Sequence, residues 1–215
     1  MPQDRPTRDR IIAAATKLFY GEGLRATSVD AIAERAGVTK KTLYYHFRTK
    51  DELIAAYLAS RDQPTLAYYE RWFSETKGST ADKVRGLFAS FARSANNPAW
   101  RGCGFLRTIA ELASTPGHPA IKAGAAHKKR FEAWMADRLA RDGVTDAARI
   151  ARQIVILLDG AATVMLIHRD VAYVETAGHV AAGLVTASAR PAPRGSALLD
   201  HETLDRPAKI AFDVG

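Results

Sequence analysis

The sequence has few of the features that build disulfide frameworks, cysteine-based metal sites or membrane spans. Its 215 residues include one cysteine, Cys103, which excludes an intramolecular disulfide and a zinc site made of several cysteines. The longest apolar stretch, 154–167, is interrupted by Asp159 and is shorter than the roughly 18 residues that a membrane helix needs. The first residues carry no apolar run, so we expect no signal peptide. A single thiol fits a reducing compartment, and we therefore expect a cytoplasmic protein with no membrane partner.

The motifs of catalysis are also missing from the sequence. It contains no Gly-rich phosphate loop, nucleophile elbow, metal motif or arrangement of paired carboxylates. Its histidines do not recur at a metal-binding spacing on one helix. We therefore expect no catalytic residues, no cofactor and no metal, and an enzyme is the most remote of the function classes.

The charge is strongly basic. The formal net charge is +8 and the isoelectric point is about 9.7, in a composition that is 47% hydrophobic and 25% charged. Such a composition is ordinary for a globular protein. The basic balance favours polyanionic partners, either nucleic acid or an acidic membrane surface.

Helical periodicity runs through the sequence, and no strand-like alternation is sustained. We predict an all-α protein whose first helix begins after an N-cap at Thr7 and ends at Gly21 or Gly23. The fourth helix begins at Thr49 and continues toward Glu75, with a disturbance expected at Pro64. The other predicted helices lie at about 29–36, 40–47, 80–95, 98–113, 118–142, 146–168 and 171–189.

Three domains follow from this pattern. We predict a helix-turn-helix DNA-binding domain at 1–52, a helical ligand-binding and dimerisation domain at 53–190, and a flexible tail at 191–215. The tail contains several prolines and has no periodicity, as is typical of loosely packed termini.

A helix-turn-helix is predicted for residues 28–47. Two short helices meet at Gly37, where a residue without a Cβ takes a positive φ. The apolar positions are spaced to pack inward against the first helix. These positions are Ile32, Ala36, Val38, Leu43 and Phe47, facing Ile11, Leu18 and Phe19. We therefore expect the protein to bind double-stranded DNA.

The outward face of the third helix has the chemistry of a major-groove surface. Between Gly37 and Lys50 there are four basic residues and no acid. Lysine donates to guanine, and threonine reaches a base edge or a thymine methyl. The alternatives are a solvated lysine face and a core position for Tyr44. The predicted DNA contacts are Thr27, Ser28, Thr39, Lys40, Lys41, Thr42, Tyr44, Tyr45, His46 and Lys50, with Arg5, Arg8 and Arg10 as an N-terminal arm.

The segment from Thr27 to Leu53, together with the Ala-Ala-x-x-Leu-Phe pattern at 14–19, resembles the DNA-binding domain of the TetR family. The resemblance covers about residues 7–55. It implies an all-helical regulator with an N-terminal DNA-binding domain and a larger ligand-binding and dimerising domain. It also implies DNA contacts by the residues that match the family's own, which are Thr39, Lys40, Thr42, Tyr44, Tyr45, His46 and Lys50.

The last two helices are apolar nearly all round. Such helices are buried on two sides, and one domain of this size supplies only one core. We predict a two-fold homodimer through a four-helix bundle, the alternative being two central helices of a monomer. A dimer would place two recognition helices about 34–36 Å apart on a near-palindromic operator.

A small-molecule effector is expected in the C-terminal domain. Several of the candidate residues have a structural alternative. Arg107 and Glu111 are spaced to pair on a helix surface, Asp159 needs a partner of its own, and Cys103 is either a small buried hydrophobe or a redox sensor. His127 begins a basic stretch that we predict to be a solvated helix face, or else a second anion-binding surface. The candidate ligand-binding residues are Trp100, Cys103, Phe105, Arg107, Glu111, Phe131, Trp134 and Asp159.

The sequence thus favours a homodimeric DNA-binding repressor that a small-molecule ligand releases from its operator. The alternative is a ligand-independent or activating DNA-binding protein. An internal cavity in the C-terminal domain would favour the first interpretation, because an architectural DNA binder has no need of one.

Overall fold

The computed structural model describes residues 6–189, and these residues form nine α-helices and no β-strand. The all-α prediction is therefore confirmed. Arg5 and the predicted tail at 191–215 lie outside the described residues. The helices are α1 (Thr7–Glu22), α2 (Val29–Ala36), α3 (Lys40–His46), α4 (Lys50–Glu75), α5 (Thr80–Ala95), α6 (Gly104–Glu111), α7 (Pro119–Arg141), α8 (Ala147–His168) and α9 (Ala172–Ser188).

Side-chain caps fix where several helices begin. Ser28, Thr39 and Thr49 each accept a hydrogen bond from the backbone N–H three residues later, and Ser79 forms a reciprocal capping box with Asp82. These bonds satisfy amides that a helix leaves unpaired at its first turn. Helices α2, α3, α4 and α5 begin at or within one residue of their predicted starts, and the capping box of α5 was not predicted.

Three local predictions differ from the structure. Pro6 rather than Thr7 is the N-cap of α1. Helix α4 continues through Pro64 without a break. The helix expected at 98–113 is reduced to α6, because Gly102 takes a positive φ of 90° and keeps the chain before Cys103 in a loop.

Two apolar cores hold the chain together. The first joins α1, α2 and α3 to the first turns of α4, with Ile11, Ile32, Leu43 and Phe47 fully buried. Of the residues predicted to pack inward, Val38 alone is half-buried rather than buried. The second core lies among α5, α7, α8, α9 and the end of α4.

The two cores meet along α4 and α6. Tyr57 and Leu58 of α4, Phe105 of α6 and Ala120 of α7 all belong to the first core. Packing is therefore continuous across the predicted domain boundary at 52–53. Helices α1, α2 and α3 therefore pack directly on the larger C-terminal part.

Helix α8 is long and apolar enough by composition to cross a membrane. It packs against α7 and α9, and Ile154, Leu158 and Met165 are buried in the second core. Core helices of ordinary globular proteins have the same length and composition, so this helix is weak evidence for a membrane span.

A close approach of α5 and α9 generates a stability prediction. A Cβ added at Gly178 would lie 2.7 Å from the Cβ of Phe88, which is too close for both helices to keep their places. Gly178→Ala is expected to lower the free energy of unfolding by about 1–3 kcal/mol through overpacking. Chemical denaturation followed by circular dichroism measures the effect.

The matched control is Gly21→Ala in α1, where an added Cβ would meet no atom within 4 Å. Alanine is the better helix former, so stability should stay the same or rise by up to about 1 kcal/mol. Equal loss of stability in both variants would contradict the packing described for Gly178.

Candidate nucleic-acid interface and effector cavity

The turn between α2 and α3 is closed by a left-handed glycine and by an arginine. Gly37 has a φ of 65°, and its N–H bonds back to the end of α2. The Arg10 guanidinium donates to the carbonyl oxygens of Ala36 at 2.7 Å and Gly37 at 3.0 Å. Arg8 lies over the Phe47 ring at 4.9 Å. Arg10 therefore braces the turn, Arg8 is exposed beside Phe47, and the prediction of both as an N-terminal arm stays a prediction.

The exposed face of α3 carries aromatic and basic side chains. Tyr45 is 85% exposed and Tyr44 is 42% exposed, so neither is a core residue. The His46 ring packs edge-on against Tyr45 with 5.3 Å between centroids. Lys41 is also exposed. The tyrosine and histidine rings on this face carry hydrogen-bond donors, and they are not packed into the core.

The N-terminal ends of α2 and α3 carry hydroxyl groups. Thr39 and Thr42 share a hydrogen bond of 2.9 Å between their hydroxyls, and the Thr39 oxygen also accepts from the Thr42 N–H. Ser28 accepts from the Ala31 N–H at 3.0 Å. These bonds fix the side chains at the helix ends, where the N-terminal dipoles favour anions.

Lys40 forms an exposed ion pair within this surface. Its Nζ lies 3.0 Å from Asp30 of α2, and the pKa of Lys40 is raised by this hydrogen bond and by the charge of Asp30. Exposed pairs of this kind contribute little because water and salt screen them. Lys40 therefore remains fully charged and is only loosely held.

Two residues predicted to contact DNA are engaged inside the chain. Thr27 is buried, and its hydroxyl donates to the Gly23 carbonyl at 2.7 Å, so its side chain offers nothing to a phosphate and that prediction is wrong. Lys50 donates to the carbonyls of Leu24 at 2.6 Å and of Thr27 at 2.7 Å. Two of its three N–H donors thus hold the loop between α1 and α2.

A cavity of about 390 Å³ lies between α1, α4, α5 and the loop before α6. Of the eight predicted ligand-binding residues, Trp100, Cys103 and Phe105 line it. The other side chains on its wall were missed, although one face of α4 signals them at i, i+4 spacing. On that face lie Tyr57, Arg61, Thr65, Tyr68, Tyr69 and Trp72, opposite Lys17 and Tyr20 of α1.

Arg107 and Glu111 neither line this cavity nor pair with each other. Arg107 donates to the carbonyl of Tyr20 at 2.8 Å. The Glu111 carboxylate accepts from the amides of Leu24 at 2.9 Å and Arg25 at 3.3 Å. Both predictions are corrected: these side chains tie α6 to the end of α1, a connection that we call the α6 latch.

Phe131, Trp134 and Asp159 also lie away from the cavity. Phe131 is buried in the second core against Tyr69, with 4.7 Å between ring centroids. Trp134 packs on Phe73, and Asp159 forms an ion pair with Lys128 of α7. These three residues therefore have structural roles in place of the predicted ligand contacts. For Asp159 this is the alternative stated above, in which the carboxylate finds a partner within the chain.

His127 is buried, so the predicted solvated face is wrong at this residue. Asp62 lies 2.8 Å from its Nδ1, and its ring stacks on Phe105 with 3.7 Å between centroids. Arg130 pairs with the other oxygen of Asp62 at 2.8 Å. Burial lowers the pKa of His127 despite this carboxylate. The cluster joins α4, α6 and α7 behind the cavity wall.

Comparison with known proteins agrees with this architecture. The family described as "Bacterial regulatory proteins, tetR family" matches residues 11–57. The HTH-type transcriptional regulator TtgW of Pseudomonas putida is 45% identical over 60 residues, or 28% of this chain. The HTH-type transcriptional repressor KstR2 of Mycolicibacterium smegmatis is 33% identical over 90 residues, or 41% of this chain. The matches span 45% and 43% of those relatives' own lengths.

Similarity to a solved structure extends much further. A TetR-family transcriptional regulator from Streptomyces coelicolor is 32% identical, with a TM-score of 0.74 over 86% of this chain and 96% of that protein. The structural similarity between the two proteins extends over the C-terminal helices as well as the helix-turn-helix. The chain described here belongs to the TetR family and is a DNA-binding transcriptional regulator.

Proposed function

We propose that this regulator is a cytoplasmic homodimer that represses transcription by binding a near-palindromic operator, and that a small-molecule effector releases it. The main support for DNA binding is the exposed face of α3. Its aromatic and basic side chains point into solvent and do not pack in the core. The repressor assignment is supported by the name of one relative, KstR2.

The proposed DNA contacts follow from the positions on this face. The N-terminal residues of a recognition helix approach base edges, and its flanks contact phosphates. Lys41 is exposed and basic. Lys40 would lose little free energy if it left its exposed ion pair with Asp30 to contact a DNA phosphate or base. The proposed contacts are Ser28, Thr39, Lys40, Lys41, Thr42, Tyr44, Tyr45 and His46, together with the remaining N–H of Lys50.

The proposed dimer uses faces of α8 and α9 that nothing in residues 6–189 covers. Ile156 is 64% exposed, Ile167 is 67% exposed and Val180 is 49% exposed. At Gly160 and Gly183 an added Cβ would meet no atom within 4 Å, so a second pair of helices has room to approach closely. These faces are separate from the sides of α8 and α9 that form the second core, and pairing two copies gives a four-helix bundle.

The α6 latch supports coupling between effector and operator. The cavity includes Tyr20, and the same residue is held by Arg107 through its carbonyl and by the Arg101 N–H through its hydroxyl at 2.9 Å. An occupant of the cavity therefore touches the end of α1 and the loop that positions α6. A ligand that prefers one arrangement of these elements shifts the spacing of the two DNA-binding domains, and so the operator affinity.

Substitution at Lys41 tests the DNA surface. Lys41→Ala is expected to weaken operator binding about tenfold, because the loss of one base or phosphate contact costs on the order of 1–3 kcal/mol. The operator is first selected from random DNA, and affinity is then measured by fluorescence anisotropy at fixed salt.

Lys77→Ala is the matched control. It removes the same charge beyond the far end of α4, a helix of 26 residues that is about 39 Å long. Its affinity should change less than twofold. If Lys41→Ala binds the operator as well as Lys77→Ala does, α3 is not the recognition helix.

The dimer proposal predicts the effect of a charge on the α8–α9 face. Val180→Glu places a carboxylate in the proposed bundle, where it would be buried without a partner, so the variant should sediment at the 23.4 kDa mass of one chain. Thr186→Glu, on the polar side of the same helix, should sediment at twice that mass, as should the unaltered protein. A monomeric unaltered protein would refute the dimer.

A further inference from the structure

The charge on the cavity wall is one-sided. Arg61 of α4 and Lys17 of α1 both line it, and no aspartate or glutamate does. Within residues 6–189, neither side chain has an ion-pair or hydrogen-bond partner. Two other cations on these helices, Arg10 and Lys50, bind backbone carbonyls. The cavity therefore has positive charge without an internal counterion.

Two phenols on the wall are hydrogen-bond donors at neutral pH. Burial raises the pKa of Tyr57 to about 12 and also raises the pKa of Tyr69, so both keep their protons. Neither hydroxyl has a hydrogen-bond partner among the described residues. A Cβ at Gly104 would lie 2.8 Å from the Tyr57 oxygen, so the glycine leaves space around that hydroxyl. The wall thus presents donors to an occupant that accepts hydrogen bonds.

Much of the remaining wall is aromatic. Besides the two phenols it includes Trp72, Phe91, Trp100 and Phe105. Flat rings favour a flat aromatic occupant through offset or edge-to-face packing. A volume of about 390 Å³ lies at the lower end of the range of about 300–1,000 Å³ for small-molecule sites.

We propose that the effector is a small planar aromatic carboxylate. Its ring lies among the aromatic side chains, and its carboxylate accepts hydrogen bonds from the Arg61 guanidinium, with the charge of Lys17 nearby. Arginine suits this task because its planar fork matches a carboxylate. This inference rests on the effector-release part of the proposed function and names the chemical class of the effector.

The same observations weigh against the other ligand classes. Aromatic cages hold organic cations, but here a cation would meet Arg61 and Lys17 with no carboxylate to balance them. A neutral apolar ligand would fill the aromatic part and leave the guanidinium and the two phenols without partners, which costs free energy as they lose water.

Three probes that share one ring system separate these classes. The full-length protein is titrated by calorimetry with 2-naphthoate, 2-naphthamide and 2-naphthylmethylammonium. The naphthoate is expected to bind at least tenfold more tightly than the amide, and the ammonium more weakly than either. Failure of all three to bind, or a preference for the amide or the ammonium, would overturn the proposal.

Substitution of Arg61 tests the role assigned to it. Arg61→Met keeps a long side chain and removes the guanidinium, so the preference for naphthoate over naphthamide should fall to within about twofold. Retained naphthamide binding shows that the cavity is still formed. Arg141→Met, which removes an exposed arginine paired with Asp137 at the end of α7, is the matched control and should keep the full preference.

If Arg61→Met does not fold, Lys17→Met provides the same test, because Lys17 is exposed on α1 and lies outside the core. It should reduce the preference for the anion by severalfold. An unchanged preference in whichever of the two variants folds would overturn the assignment.

Operator binding separates this inference from the function on which it rests. Naphthoate could bind with the expected preference and yet not release the protein from its operator. That result would support an aromatic carboxylate as the ligand of the cavity and refute effector release by it. Tight operator binding by a protein that binds none of the probes would overturn the ligand class and leave the DNA-binding proposal standing.

Discussion

One carboxylate connects the helix-turn-helix to the C-terminal helices. Glu111, at the end of α6, accepts hydrogen bonds from the amides of Leu24 and Arg25 in the loop between α1 and α2. Backbone amides in such loops need partners, and here a charged side chain from 86 or 87 residues away supplies one acceptor for both. Lys50 binds the carbonyls of the same loop from the other side. These bonds hold the loop between α1 and α2, and they add to the packing of the first core in positioning the helix-turn-helix on the C-terminal helices.

The size of these interactions suits a switch. Hydrogen bonds to a charged group contribute about 1.5–3 kcal/mol each, and coupling energies between effector and operator sites are commonly about 1–3 kcal/mol. A change in one or two bonds of the α6 latch would therefore match the size of the proposed coupling. The cavity shares Tyr20 with the latch, so the proposed effector would not need to act through the whole length of α4.

The sequence predicted the features that depend on residues close together in the chain, such as helix starts and turns. The caps at Ser28, Thr39 and Thr49 and the turn at Gly37 are decided within a few residues, so helices α2, α3 and α4 lie where the pattern indicates. The exposed rings of α3 could also be predicted, because the buried apolar face of a short helix defines its opposite, exposed face.

The roles that were wrong depend on contacts between distant segments. Thr27, Arg107 and Glu111 bind backbone groups. Almost every residue has a backbone carbonyl and an amide, so the sequence does not indicate which of them will be a partner. His127 looked solvated beside three basic residues, but Asp62 and Phe105 bury it from other helices. The aromatic and polar stripe on α4 could be seen in the sequence. The packing of α1, which makes this stripe one wall of a cavity, could not.

The central claim is that the α6 latch carries the effector signal to the DNA-binding domain. The direct measurement is the ratio of operator affinities without and with saturating 2-naphthoate, in the unaltered protein and in Glu111→Ala. Glu111 does not line the cavity, so naphthoate affinity should stay within about twofold while the ratio falls toward one. A ratio that stays at the level of the unaltered protein would contradict the claim.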